Sequence, residues 1–216
     1  MKEVVLKGSQ EDLRPSRRGK RQPRKQQRVN ALTRGEVRNI YRYLQGVQVD
    51  SSSVTGTMAA EASRFLVCTG LRLAEFLGLK KADIFVDKSA RPYIMVIGKG
   101  QVTRKVPLSR EAQGAAETLR TLSTGSHVFP GGEKYRRTIQ RRFKNAGVAC
   151  RVQFAVTPHV FRHTFASQLV SRGIQLSVVM DLLGHTDIRT TKIYLTSSFD
   201  QLKKAMDGLG NAIFRG

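Results

Sequence analysis

Seven side chains capable of chemistry stand out in the sequence, and their spacing groups them. His159 and Arg162 lie three apart in TPHVFRH, so a helix would set both on one face. LLGH puts His185 just past a helix-ending glycine, and Tyr194 follows nine positions later in TTKIYL. Upstream, TGLRLAE places Arg72 at a helix N-terminus with Glu75 one turn on, and VIGKG sets Lys99 between two glycines. Arginines are permanently charged planar forks that match phosphate oxygens. Histidine and lysine transfer protons. A tyrosine is only about 0.1% ionised at neutral pH, so it attacks only where cations or a base stand beside it. Taken singly, each residue has a plainer account: a polar helix face for His159 and Arg162, a surface ion pair for Glu75, a solvated turn for Lys99, a core aromatic for Tyr194.

Other chemistries lack their parts. His159 and His163 have the spacing of zinc-protease ligands, but Val160 stands where the glutamate is required. Gly98-Lys99-Gly100 lacks the third glycine of a dinucleotide fingerprint, and no GxxxxGK[ST] loop occurs. Neither a metal nor another cofactor is called for. The cysteines, Cys68 and Cys150, are far apart and form no CxxC pair, which argues against a disulfide framework and for a cytoplasmic protein. No stretch approaches the roughly 18 apolar residues of a membrane span, so no membrane partner is expected.

Charge points to the substrate class. The 216 residues include 38 Lys+Arg against 16 Asp+Glu, a formal net charge of +22. Such an excess calls for a polyanion, and in the cytoplasm that is nucleic acid. Ten basic and three acidic residues fall within 1–28, so the arm carries +7. The stretch from Arg14 to Arg28, with Arg17, Arg18, Lys20 and Arg21, has no apolar side chain apart from two prolines and is expected to be a disordered basic arm. The larger share of the excess belongs to the rest of the chain, which predicts a shaped basic surface. A further basic run, Arg136, Arg137, Arg141, Arg142 and Lys144, on a predicted helix with Ile139 and Phe143 on its apolar side, is expected to face DNA, a plain solvated face being the simpler reading.

The elements that must hold these residues are legible from periodicity. Thr33 and Glu36 form a capping box, with Leu32 and Val37 as its staple, and Val37, Ile40, Tyr41 and Leu44 repeat on one helical face. After a Ser/Gly-rich loop, a helix is predicted from about Met58 to Thr69, stopped by Gly70, and a short one from Arg72 to Gly78. Residues 84–86, 93–97 and 104–106 have strand character, and the Gly98-Lys99-Gly100 turn makes an antiparallel pairing of the last two. Helices are predicted over 109–122 and 135–146, from Thr157 (cap) and Pro158 to near Gly173, over 177–183 and 190–195, and over 199–209. The fold class is therefore α+β, mainly helical, with a small three-stranded antiparallel sheet, in one domain over 32–216 behind an arm over 1–31.

TGLRLAE, VIGKG, TPHVFRH, LLGH and TTKIYL, in that order and at compatible spacing, resemble the tyrosine recombinase (phage integrase) family over nearly all the chain from Leu32 onward. The resemblance implies that Arg72, Arg162 and His185 bind the scissile phosphate, Lys99 is the general acid for the leaving 5′-hydroxyl, His159 shuttles a proton, Tyr194 is the nucleophile and Glu75 buttresses the first arginine. It implies site-specific cleavage and rejoining of double-stranded DNA, without metal or ATP, through a 3′-phosphotyrosyl link. It implies, too, a homotetrameric synaptic complex, DNA-bending accessory proteins and a nucleoid-associated location; the C-terminal helix either exchanges with a neighbouring protomer, as in relatives, or packs on its own domain. Phe161 replaces a leucine common among relatives, a core change only.

The family's usual helical core-binding domain has no counterpart in these residues, which resembles minimal recombinases such as fimbrial phase-switch invertases. Either the clamp that this domain provides is missing, or the basic arm replaces it by folding along a groove. Two other readings fit the same residues: a relaxing topoisomerase of the type IB kind, and a non-catalytic DNA-binding accessory protein of the same fold.

Overall fold

The computed structural model describes residues 30–47, 55–88, 90–98, 103–184 and 198–215, with side chains in the last stretch from 202 onward. The expected arm thus lies outside the described residues apart from Asn30 and Ala31, and so do Lys99, His185, Tyr194 and the predicted 190–195 helix.

The elements run α1 (Arg34–Gly46), α2 (Gly56–Thr69), α3 (Leu73–Gly78), β1 (Ile84–Val86), β2 (Pro92–Ile97), β3 (Thr103–Pro107), α4 (Arg110–Leu122), α5 (Arg136–Ala149), α6 (Pro158–Val170), α7 (Leu176–Leu183) and α8 (Ser198–Phe214). The capping box at α1 is formed as expected: Thr33 Oγ1 accepts the Glu36 N–H, and the Glu36 carboxylate accepts the Thr33 N–H at 2.7 Å. Helix α2 starts two residues before the predicted Met58, because Thr55 Oγ1 accepts the Met58 N–H and caps the helix earlier. Helix α8 runs five residues beyond Leu209: Ile213 continues its apolar stripe, and Phe214 meets Tyr41 edge-on at 5.1 Å. Helix α6 stops at Val170, short of Gly173. Pro158 opens it as expected, but Thr157, in the capping position, makes no side-chain cap bond among the described residues.

Helix α2 is apolar nearly all round and is the centre of the core. It packs against α1, α4, α5, α6 and α8. Phe65 lies 5.2 Å from Phe76, whose ring in turn lies 5.5 Å from Phe129, while Phe143 meets Phe161 at 4.9 Å. The one acidic side chain buried in α2, Glu61, accepts from Tyr41 Oη at 2.8 Å and from Arg64, so the charge is compensated inside the core. The three strands pair antiparallel in the order β1-β2-β3, with Ile94 opposite Val106 and Val96 opposite Arg104. No helix among the described residues is long and apolar enough to cross a membrane.

Candidate active site: an arginine cluster at the end of α7

Two glycines in left-handed conformation shape the site. Gly70 ends α2 with φ of +66°, and its Cα lies so close to α6 that a Cβ there would fall 2.3 Å from Phe165 Cδ1. No other residue tolerates both demands. The close approach sets α6 against the end of α2, one turn from Arg162. Gly184 ends α7 with φ of +68°.

Arg162 is buried, at 7% exposure, and spans the two helix ends. Its Nη1 donates to the Gly70 carbonyl at 2.9 Å and its Nη2 to the Leu183 carbonyl at 2.6 Å. Arg72 stands at the start of α3, where its backbone N–H donates to Glu75 Oε2 at 2.9 Å and its Nη1 to Oε1 at 2.9 Å. Its Nη2 reaches the Gly184 carbonyl at 3.4 Å. A third cation, Arg104 of β3, donates from Nη1 and Nη2 to the two oxygens of Glu75 at 3.1 and 2.8 Å, and from Nε to the Leu182 carbonyl at 2.8 Å.

The carbonyls of Leu182, Leu183 and Gly184 are therefore each taken by a different arginine. Those of Met180 and Asp181 accept the Gly184 N–H. A helix C-terminus leaves such carbonyls without intrahelical partners and carries partial negative charge, so cations suit it twice over.

The electrostatics favour an anion. Two guanidinium groups, those of Arg72 and Arg104, share the Glu75 carboxylate, and a third, that of Arg162, is bonded among the described residues only to carbonyls. Burial pushes Glu75 up, but the bonds from Arg104 and Arg72 outweigh it and hold its carboxyl below the ordinary 4.5. Burial, and then the neighbouring Arg72 charge, pull Arg162 down to about 10. A buried cation disfavoured in this way is relieved by a bound anion, and guanidinium forks match the tetrahedral oxygens of phosphate. Arg72, whose side chain is 35% exposed, is the member that meets solvent.

Of the candidate site residues, Arg72, Glu75 and Arg162 lie together. His159 lies on α6 one turn before Arg162 and is exposed. Lys99, His185 and Tyr194 are outside the described residues, although His185 directly follows Gly184 in the chain.

The family is decided by comparison with known proteins. A model of the phage integrase family matches residues 30–201. The chain belongs to that family. Among relatives, the "Tyrosine recombinase XerC" of Xanthomonas axonopodis pv. citri (strain 306) is 35% identical over 167 residues, covering 74% of this chain and 54% of the relative. The "Tyrosine recombinase XerD" of Brucella suis biovar 1 (strain 1330) is 40% identical over 153 residues, covering 64% of this chain and 48% of the relative. The chain thus spans about half the length of these phage-integrase-family relatives. Among solved structures, the integrase from mycobacterium phage Brujita superposes with a TM-score of 0.63 at 22% identity, over 87% of this chain and 60% of that one, a likeness of fold.

Arg104 did not figure among the sequence candidates, yet a signal for it was present. In a strand, alternate residues share a face, so Arg104 lies on the side of Val106 and opposite Val96, both buried. A charged residue on the inward face of a strand needs a buried partner, and the acidic residue nearest the predicted site was Glu75.

The basic helix α5 divides into two faces. Arg137, Arg141 and Lys144 are exposed, whereas Arg142 is 8% exposed on the side of Ile139 and Phe143. Arg136 is half-buried and paired with Glu133. The solvent-facing set is therefore smaller than the five residues expected from the run. Arg17, Arg18, Lys20 and Arg21 lie outside the described residues.

Proposed function

We propose that the protein is a site-specific recombinase that cuts and rejoins double-stranded DNA through a phosphotyrosyl intermediate. The observation that carries this reading is the convergence of Arg72, Arg104 and Arg162 on the carbonyls of residues 182–184, with Glu75 held between the first two. Membership of the phage integrase family and the tyrosine recombinases among its relatives support it.

In this reading Arg72 and Arg162 hold the scissile phosphate, together with His185, and stabilise the additional charge of the five-coordinate transition state. The Tyr194 Oη–P bond forms as the P–O5′ bond breaks. The phenol loses its proton to His159, and the departing 5′-oxygen gains one from Lys99. The phosphotyrosyl link retains the bond energy, so attack by another 5′-hydroxyl rejoins the strand without ATP. Exchange between two duplexes requires four strand cuts and hence four copies of the chain. Residues 32–216 form the catalytic unit. The arm over 1–31 and the exposed face of α5 hold neighbouring phosphates.

The test uses nicked suicide duplexes tiled across the DNA that flanks the gene, with covalent adducts resolved on denaturing gels. Wild type should form an adduct and Tyr194→Phe none. An adduct that survives in Tyr194→Phe overturns the assignment, and absence of any adduct with wild type overturns the function.

A further inference from the structure

We propose that Arg104 is a positioning residue for the phosphate site, acting through Glu75 and the last turn of α7. The inference rests on the recombinase reading above. Arg104 has a side chain only 10% exposed, and a buried guanidinium is tolerated only where its charge and its donors are matched. Here both are. The two Nη groups lie fork to fork on the Glu75 carboxylate, and Nε holds the Leu182 carbonyl.

The consequence falls on Arg72. Each Glu75 oxygen accepts one bond from Arg104 and one from Arg72, the latter through Nη1 and through the backbone N–H. With Arg104 in place, the carboxylate holds Arg72 by one edge while Arg72 Nη2 points to the Gly184 carbonyl. Without it, Glu75 has two vacant acceptor sites and a full negative charge facing Arg72. A bidentate Arg72–Glu75 pair then becomes the favoured arrangement, and it turns the guanidinium away from the phosphate.

Arg104 also closes against the turn that leads to His185: a Cβ at Gly184 would lie 3.0 Å from Arg104 Nη1. One side chain thereby sets the separation of β3, α3 and α7. It is the second residue of β3, directly after the 99–102 segment that contains Lys99.

The test is single-turnover cleavage of the nicked duplex by wild type, Arg104→Gln, Arg104→Lys, Glu75→Gln and the Arg104→Gln/Glu75→Gln double variant. Misplacement of a phosphate ligand by about 1 Å costs on the order of 10²-fold, so Arg104→Gln should slow adduct formation by about that factor. Arg104→Lys should recover little, because an ammonium cannot lie along both carboxylate oxygens and a carbonyl. The double variant should cleave no more slowly than Arg104→Gln, as expected when one residue acts through the other.

A second duplex, with sulfur replacing the bridging 5′-oxygen, separates the site affected. A thiol leaves without a proton donor, so a defect in phosphate holding persists on this duplex, whereas one in proton donation disappears. Cleavage by Arg104→Gln at the wild-type rate overturns the proposal, as do fully additive losses in the double variant or rescue by the sulfur duplex. If Arg104→Gln does not fold, the same comparisons are made with Arg104→Lys. Absence of an adduct from wild type defeats the recombinase reading itself, a different outcome from an adduct that is indifferent to Arg104.

Discussion

Arg162 donates to the Leu183 carbonyl at 2.6 Å from a position where 93% of its surface is buried, and with its other Nη it holds Gly70. One guanidinium therefore ties together the C-termini of α2 and α7, 92 and 21 residues away in sequence. The backbone of the site is assembled by the arginine side chains of the cluster itself. Charge that would be costly in an ordinary core is here stabilised by helix-end carbonyls and kept available for an anion.

Arg162→Lys should separate structure from charge. Lysine keeps the cation, but its single ammonium on a flexible stem cannot span two carbonyls on different helices. An unpaired buried carbonyl costs about 1–3 kcal/mol, and in a chain of this size each kcal/mol lowers Tm by about 2–4 °C. Thermal melting should show that drop, together with loss of covalent adduct. A variant with wild-type Tm and adduct yield would refute the linking role of Arg162.

The Glu75 carboxyl sets an acid limit. Its folded value is held below the ordinary 4.5, so the ionised group stabilises the fold above that pH, and the contribution is lost as pH falls through the folded value. Glu111, which accepts from Arg64 and Arg215, is shifted the same way and adds to the wild-type acid loss. Urea unfolding of wild type and Glu75→Gln should therefore differ most at neutral pH and converge as the pH falls below 4.5 and through the folded value. A difference that stays constant over that range would mean that Glu75 acts by packing alone.

Much of this arrangement was legible beforehand, for reasons that differ between elements. Thr33 and Glu36 announce α1 because a capping box is a local event, complete within four residues. Arg72, Glu75 and Arg162 were identifiable because the short segments around them match a family pattern. Arg104 escaped because its meaning is tertiary. In the strand it alternates with the apolar Val106, which hints at the inward face, but only the pairing of β3 with β2 and the packing of α7 show what it holds there. The same holds for Arg142: a run of five basic residues reads as one solvated face, and only the helix phase set by Ile139 and Phe143 turns Arg142 inside.

That division on α5 makes a prediction about DNA. Arg137, Arg141 and Lys144 are exposed, and each phosphate contact contributes roughly 0.9 to the slope of log affinity against log salt. Neutralising any one by Gln should lower that slope by about 1 without altering Tm. Arg142→Gln should do the reverse, lowering stability while leaving the slope in place. Fluorescence anisotropy with a labelled duplex across a salt series reads the slope directly. If Arg137→Gln, Arg141→Gln and Lys144→Gln all bind with the wild-type slope, α5 does not face the duplex.

Helix α8 carries the last prediction. Leu202, Met206, Leu209 and Ile213 form a buried stripe against the same chain. Charged side chains hold the helix as well: Arg38 Nε donates to the Ile213 carbonyl at 2.8 Å and Arg172 Nη2 to the Gly208 carbonyl at 3.1 Å, while the Asp207 side chain accepts the backbone N–H of Arg110 at 2.8 Å. Truncating a buried leucine costs about 2–5 kcal/mol, so Leu209→Ala should lower the stability of the protein without DNA by that amount. Because the contacts are within one chain, neither wild type nor variant should change Tm with concentration between about 1 and 100 µM. A Tm that climbs with concentration would instead show that the helix is seated on a neighbouring copy before DNA is bound. Concentration-dependent melting of Leu209→Ala and wild type, followed by circular dichroism, distinguishes the two arrangements.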